Sequence, residues 1–128
     1  MGLWKFKSYL TESGEHGRDV IDDWYNALPV KAQAKFRTLL EHLRDMPLPW
    51  PLVLSKPLEQ GISELRFQAN KILHRPLGFF GPDTGEFTLV MPAREQGDEF
   101  IPRNALQTAI ERKNIVLNDK QRAHECNI

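Results

Sequence analysis

Apolar and polar residues alternate near the start of the chain, from Trp4 to Leu10. Trp4 and Phe6 fall on one side of an extended chain, and Lys5 and Lys7 fall on the other. This two-residue period is typical of a half-buried β-strand. The sequence therefore predicts an N-terminal strand with one face toward a core.

Two helices are predicted after that strand. The first extends from about His16 to Leu28 and the second from about Val30 to Arg44, because their apolar residues recur at helical spacing. Pro29 stands between them, where it can end one helix and open the next. The two segments are expected to form an antiparallel helix hairpin.

Three further strands are predicted in the middle of the chain, at Ile62–Ala69, Ile72–Phe80 and Phe87–Met91. Short turn segments separate them, which is typical of a β-meander. Pro76 has no backbone N–H and cannot donate to a sheet ladder, so we expect a bulge or a short break at that position.

The remaining segments complete an α+β prediction. Met46–Pro51 contains alternate prolines and is expected to be an extended loop packed by Trp50. A third helix is predicted from Pro102 to about Ile115, and the polar residues Asn118 to Ile128 are expected to fray. Residues 1–128 are expected to form one domain, since the length suits a single core.

The composition narrows the classes of function. Hydrophobic residues make up 41% of the chain and charged residues 27%, as in ordinary globular proteins. No run approaches the length of a spanning helix and the N-terminus lacks an apolar signal core, so a cytoplasmic location is expected. The single cysteine, Cys126, is assigned no catalytic role. No metal or nucleotide motif is present, so no metal or cofactor is expected.

The charge balance limits how the chain could bind nucleic acid. Seventeen basic and seventeen acidic side chains give a formal net charge of zero. Bulk attraction to a polyanion is therefore not expected. Any RNA site has to be a local patch of cations.

Several short segments of the sequence resemble the RelE/ParE superfamily of toxins, and most closely its HigB and phage-derived toxin-like branch. The resemblance covers roughly residues 3 to 113 and is most specific in Leu58, Gly61 and Glu64–Arg66, followed by Arg75. The other segments that resemble the family are Trp24–Pro29, the Leu-rich second helix, Lys56–Arg66, Phe79–Phe80, Phe87–Val90, and Pro102 followed by Ala105, Ala109 and Arg112.

The resemblance implies a small antiparallel sheet made of the N-terminal strand and the three-stranded meander, with the helix hairpin packed on one face and a C-terminal helix. It also implies an mRNA endoribonuclease on the other face, acting on translating ribosomes without a metal. A cognate antitoxin would be the protein partner, typically a helix-turn-helix protein encoded by the adjacent gene. No membrane partner is implied.

One segment departs from the family pattern. In similar proteins a short basic motif follows the last strand. In this chain the corresponding segment, Ala93–Glu99, contains one arginine and three acidic residues. This departure and the zero net charge favour an alternative, a non-catalytic protein that binds a protein target as ParE toxins do, or binds only its antitoxin. The arginines in and beside the meander favour the nuclease.

Metal-free RNA cleavage uses the 2′-hydroxyl of the substrate as the nucleophile. The protein must orient the backbone, help to remove that proton, stabilise charge on phosphorus and assist departure of the 5′-oxygen. Arginine suits the phosphate because its planar fork donates two parallel hydrogen bonds. The predicted site is therefore Arg66, Arg75 and Arg94 on one phosphate, with His74 for proton transfer.

Each residue of this site has a structural alternative. Arg66 lies on the same side of its strand as Glu64 and opposite Leu65, so an exposed RNA contact and a salt bridge to Glu64 are both open. If side chains alternate regularly along the strand, Arg75 points toward the protein interior with Leu77 and Phe79. An irregularity at Pro76 could reverse this and expose Arg75. His74 could instead be a hydrogen-bonded structural residue.

The loop cations and acids also have two interpretations. Lys71 at the hairpin tip could bind RNA together with Arg66 and Arg75, or could simply be solvated. Arg94 could contact phosphate or pair with a neighbouring acid. Glu95 and Glu99 could act as a base or be loop charges.

Three aromatic side chains are candidates for base stacking. Tyr9 and Trp50 could stack on a base, but aromatic residues in a domain of this size are usually core. His124 could also stack, and its place in the polar tail leaves its position open.

Overall fold

The structure is a computed structural model that describes residues 2–128. It is an α+β fold with three helices and two sheets. The helices are α1 (Val20–Ala27), α2 (Val30–Arg44) and α3 (Ala105–Asn118). The strands are β1 (Lys5–Tyr9), β2 (Ser55–Pro57), β3 (Ile62–Leu65), β4 (Phe67–Ala69), β5 (Ile72–His74), β6 (Leu77–Phe80), β7 (Glu86–Met91), β8 (Arg94–Gln96), β9 (Glu99–Ile101) and β10 (Ala123–Glu125).

The expectation of one sheet is wrong. The larger sheet has six strands in the order β10-β1-β7-β6-β3-β2, and a second sheet has four in the order β4-β5-β8-β9. The predicted strands Ile62–Ala69 and Ile72–Phe80 each break and contribute one half to each sheet. The break at Pro76 was predicted, whereas the matching break at Arg66 was not.

The meander forms the centre of the larger sheet. β3, β6 and β7 are antiparallel neighbours, and β1 joins the outer side of β7 in parallel, so the sheet is not wholly antiparallel. The long chain between β1 and β7 allows this parallel pairing, because the helix hairpin can cross over between them.

Helices cover both faces of the larger sheet. The hairpin of α1 and α2 packs on one face, where Phe36, Leu40 and Leu43 meet Phe6 and other sheet residues in one apolar cluster. The C-terminal helix α3 packs on the opposite face against Leu77, Phe79 and Val90 in a second cluster. The face expected to be open for RNA is therefore largely occupied by α3.

Helix boundaries differ from the predictions for local reasons. α2 has the predicted bounds, whereas α1 begins at Val20 because the Asp19 side chain accepts hydrogen bonds from the amides of Ile21 and Asp22. Upstream of Asp19, Gly14 has a φ of 88°, which is incompatible with a helix. α3 begins and ends three residues later than predicted.

The C-terminal residues do not fray. β10 pairs with β1, and Ala123 is buried. The backbone N–H of Cys126 donates to the carbonyl of Phe6 at 2.9 Å. Pairing along an edge of the large sheet orders a segment whose sequence is polar.

The Pro-rich connector packs as expected, with Trp50 buried and its indole Nε1 donating to the Met46 carbonyl at 2.9 Å. Within residues 2–128, no helix has the length and apolar character needed to cross a membrane.

Candidate active site

The second sheet carries two of the four residues predicted for catalysis, His74 and Arg94, and the other two lie where the chain passes between the sheets. It begins with a hairpin of β4 and β5 whose two-residue turn, Asn70–Lys71, has φ values of 54° and 65°. Two positive φ values are typical of the type I′ turn that joins twisted strands. Lys71 is exposed at this tip, three residues before His74 in the chain. Lys71 therefore lies at the end of the hairpin, away from the contacts that Arg66 and Arg75 make at the sheet junction.

The chain passes from one sheet to the other at two adjacent points. Arg66 separates β3 from β4, and Arg75–Pro76 separates β5 from β6. Around this junction the Leu65 amide donates to the Pro76 carbonyl at 2.9 Å, and the Arg75 amide donates to the Ala93 carbonyl at 2.8 Å. The double break therefore brings Arg66 and Arg75 together.

Arg75 is the centre of a buried ion-pair network. Its Nε and Nη2 each donate to the Glu64 carboxylate at 2.7 Å, and its Nη1 donates to Glu95 Oε1 at 3.1 Å. Glu64 is fully buried, and the guanidinium carbon lies 3.9 Å from the centre of the Phe100 ring. The hydrogen bonds to Glu64 raise the pKa of Arg75, so its charge is permanent.

Arg66 shares the same carboxylate. Its Nη1 donates to Glu64 Oε2 at 3.0 Å, while 27% of its side chain remains exposed. The salt bridge that the sequence left open is thus present, although Arg66 also reaches solvent. Two arginines and two glutamates make this junction neutral as a whole.

His74 and Arg94 form a second grouping. They are directly opposite each other on β5 and β8. Both line a shallow cavity of about 270 Å³ whose other walls include Trp24, Ile101 and Pro102. Arg94 is exposed, and within residues 2–128 it forms no ion pair. It is a cation available to a ligand.

Packing fixes the His74 ring. The imidazole stacks on Phe67 with ring centres 4.8 Å apart and planes at 15°, and the edge of Trp24 contacts it from another side. Burial lowers the pKa of His74, and the positive charge of Arg94 lowers it further. The imidazole is therefore neutral at neutral pH. Its Nδ1 is buried and has no hydrogen-bond partner among the described residues.

The two groupings lie on opposite faces of the second sheet. Neighbouring residues of a strand point to opposite sides, and Arg75 contacts Glu95 and Phe100, whereas His74 faces Arg94 and Trp24. The hypothesis that Arg66, Arg75 and Arg94 bind a single phosphate does not fit this arrangement. His74 and Arg94 are brought together, Arg66 and Arg75 are brought together, and the pairs are separated by the sheet.

The sequence left two orientations open for Arg75. Simple alternation turned it inward with Leu77 and Phe79, whereas a change of phase at Pro76 would have exposed it. Leu77 and Phe79 point to the face covered by α3. Arg75 is buried by its ion pairs at the sheet junction, so its burial has an electrostatic cause.

The other candidate side chains have structural contacts. Glu95 pairs with Arg75, and Glu99 forms an exposed pair with Arg103 at 3.2 Å. Tyr9 and Trp50 are buried in the two apolar clusters. His124 Nε2 lies 2.6 Å from Asp19 Oδ2, the carboxylate that also caps α1.

The sequence reasoning missed Glu64 as the organiser of this region and Trp24 as a wall of the His74 cavity. A signal for Glu64 was available, since an acid on a predicted central strand requires a cationic partner if it is buried. Within residues 2–128, no three His, Cys, Asp or Glu side chains are grouped closely enough to hold a metal ion.

Comparisons of the chain with protein families, curated proteins and solved structures found no match. The RelE/ParE resemblance therefore stays a prediction, and functional inference rests on the geometry of the side chains.

Proposed function

We propose that the protein is a toxin of the RelE/HigB type that cuts mRNA in the cytoplasm, on translating ribosomes, and is neutralised by an antitoxin encoded by the adjacent reading frame. The observation that supports catalysis is the His74–Arg94 pair. A neutral imidazole and an unpaired guanidinium face one cavity from directly opposed strand positions. A neutral imidazole can act as a general base, and a guanidinium can stabilise charge on the phosphate.

Arg94 is assigned to the scissile phosphate. As the 2′-oxygen attacks phosphorus, negative charge grows on the non-bridging oxygens, and a guanidinium can donate two hydrogen bonds to them. His74 is assigned to the proton of the 2′-hydroxyl, because a neutral imidazole can accept it. The bond from phosphorus to the 5′-oxygen then breaks, and that oxygen takes up a proton from the imidazolium or from water.

Arg75 has a different proposed role from the one expected from the sequence, whereas Arg66 keeps its expected contact with RNA but not the role in catalysis. Arg75 holds the junction of the two sheets through Glu64 and Glu95, and thereby fixes β5 and β8, which carry His74 and Arg94. Arg66 keeps an exposed part that can contact RNA beside the junction. Arg75 is thus a positioning residue.

The test is cleavage of mRNA in a translating extract by purified wild-type protein and by folded variants. Arg94→Ala and His74→Asn are each expected to lower the cleavage rate by about 10²–10³, which is typical for loss of one transition-state contact. Arg103→Ala is the matched control, since it removes an exposed cation near the same sheet. Wild-type rates in both folded site variants would exclude the His74–Arg94 site.

A non-catalytic binder is the second candidate. The neutral Arg66–Glu64–Arg75–Glu95 junction favours it, because two of the three predicted phosphate ligands already have carboxylate partners. If wild-type protein cuts no mRNA and copurifies stably with the product of the adjacent frame, this candidate replaces the nuclease.

A further inference from the structure

An open groove of about 840 Å³ runs along α2 at the free edge of the second sheet. One wall is a stripe of α2 that contains Lys35, Thr38, Leu39 and His42. These positions are spaced i, i+3, i+4 and i+7, so they lie on a single face of the helix. Because α2 rises 1.5 Å per residue, the stripe is roughly 10 Å long.

The remaining lining residues come from the chain after the Pro-rich connector and from both sheets. Residues 52–54 and Lys56 of β2 line the groove, and Arg66, Gln68 and Leu73 contribute from the sheet junction and the β4–β5 hairpin. β4 is an edge strand, so no further strand closes the groove on that side.

The charge of the groove differs from that of the whole chain. Its lining includes Lys35, His42, Lys56 and Arg66 and no aspartate or glutamate. Lys35 and Lys56 are exposed and form no ion pair within residues 2–128. In a chain with equal numbers of acids and bases, this is a local cationic surface of the kind that a polyanion requires.

The groove also offers contacts for groups other than phosphate. Its lining includes the exposed apolar side chains of Leu52 and Val53, which suit the flat faces of nucleobases, and Thr38 and Gln68 supply a hydroxyl and an amide for base edges. Base edges and faces are accessible to side chains in single strands rather than in RNA duplexes. Lysines along the walls and apolar contacts between them match an extended single strand.

We propose that this groove binds single-stranded RNA, with Lys35 and Lys56 as phosphate ligands. The inference rests on the proposed function in that the bound strand would be part of the substrate. It goes beyond that function by placing the strand on α2 and β2, whereas the catalytic pair lies on β5 and β8. Arg66 lines the groove and contacts Glu64, so it links the groove to the sheet junction.

The experiment measures binding without cleavage. A fluorescein-labelled 2′-O-methyl RNA 12-mer has no free 2′-hydroxyl, so the proposed cleavage cannot occur, and its affinity for the full-length protein is measured by anisotropy over a salt series. For Lys35→Gln/Lys56→Gln, the affinity at low salt is expected to fall by about tenfold, and the slope of log affinity against log salt by about 1.4. Both lysines are exposed, so the variant is expected to fold, and a thermal melt is measured first to check this.

The matched control is Lys5→Gln/Lys120→Gln, which removes two exposed cations outside the groove. It is expected to change affinity by less than twofold. Equal losses in the two double variants would overturn the groove, because they would indicate attraction to total charge. No binding by the wild type, or unchanged binding by the groove variant, would overturn it as well.

Two further arms separate the possible failures. If a polyglutamate peptide of equal charge displaces the RNA at equal concentration, the groove selects an acidic peptide as readily as RNA, and the RNA proposal is wrong. Cleavage is measured separately on unmodified mRNA. Loss of cleavage in Arg94→Ala with intact binding would support the proposed function. Loss of binding in the groove variant would support the groove, whatever the cleavage result.

Discussion

Arg75 and Glu64 show how a charged pair is held inside this protein. Glu64 is fully buried and Arg75 is 8% exposed, and two hydrogen bonds of 2.7 Å join them. A buried pair of this kind adds little stability relative to apolar residues, but removing one partner leaves the other uncompensated.

Arg75→Ala is therefore expected to lower the free energy of unfolding by about 3–5 kcal/mol, measured by urea denaturation. Arg66 keeps one contact to Glu64, so the loss is expected toward the lower part of that range. The double variant Glu64→Gln/Arg75→Met should be clearly more stable than Arg75→Ala, because no unpaired charge remains buried. Equal instability of the single and double variants would argue against the ion-pair explanation.

His74 makes stability depend on pH. Burial and Arg94 hold its folded-state pKa below the unfolded value, so the unfolded chain binds the proton more readily. Stability from this group is fully present above an unfolded pKa of about 6.5 and is lost as pH falls toward the folded pKa.

Urea unfolding of the wild type at pH 7.5 and at pH 5.5 should therefore show a loss on acidification that is smaller in His74→Phe. Phenylalanine keeps an aromatic ring against Phe67 and does not titrate. His16→Gln, at a strongly exposed histidine, should keep the wild-type pH response. An unchanged pH response in His74→Phe would contradict a depressed His74 pKa.

At the scale of elements, Asp19 connects three parts of the chain. Its carboxylate caps α1, accepts a hydrogen bond from Ser8 of β1 at 2.6 Å, and contacts His124 of β10 at 2.6 Å. Loss of an N-cap alone costs about 0.5–2 kcal/mol.

Asp19→Ala is expected to exceed that range slightly, to about 2–3 kcal/mol, because Ser8 is left buried without its acceptor. Thermal and urea unfolding measure the change. Asp45→Ala, at the exposed end of α2, is the control and should stay within about 0.5 kcal/mol of wild type.

The C-terminal strand β10 lies in a segment for which the sequence predicted no regular structure. Deletion of residues 123–128 is expected to destabilise the domain by roughly 1 kcal/mol for each backbone hydrogen bond lost to β1. Hydrogen exchange should show faster exchange of β1 amides in the truncated protein. Unchanged β1 protection after truncation would mean that β10 contributes little to the sheet.

At the scale of the whole molecule, two apolar clusters share one sheet. All three tryptophans belong to the cluster on the hairpin side, whereas Leu77 and Ile110 belong to the cluster under α3. Strands that carry side chains to both clusters should make unfolding cooperative.

Leu77→Ala is expected to cost about 2–5 kcal/mol, since it leaves a cavity at a fully buried site. Tryptophan fluorescence reports on the opposite cluster, and far-UV circular dichroism reports on the whole chain. Coincident transitions by the two probes are expected for a single domain. Separate transitions would show that the clusters unfold independently.

The local pattern of the sequence was sufficient for the elements with strong periodicity. The helix hairpin, the packed Pro-rich connector, the strands of the meander and the break at Pro76 follow from residues close together in the chain. His74 and Arg94 were selected from residue type and resemblance, and their placement opposite each other depends on the pairing of β5 with β8. The short strands β2, β8 and β9 gave no clear local signal because three residues are too few to establish a period.

The tertiary structure decided which residues meet. Local alternation assigns a side to each residue of an isolated strand, but it does not reveal that the chain changes sheet at Arg66 and again at Arg75, or that α3 covers the second face. Those features depend on contacts between residues far apart in sequence. The free energy of such contacts cannot be inferred from a short segment of the chain. For that reason the sequence by itself determined the helices, the core strands and the candidate cations, and only the long-range packing decided that Arg75 is an internal ion pair while Arg94 faces a cavity.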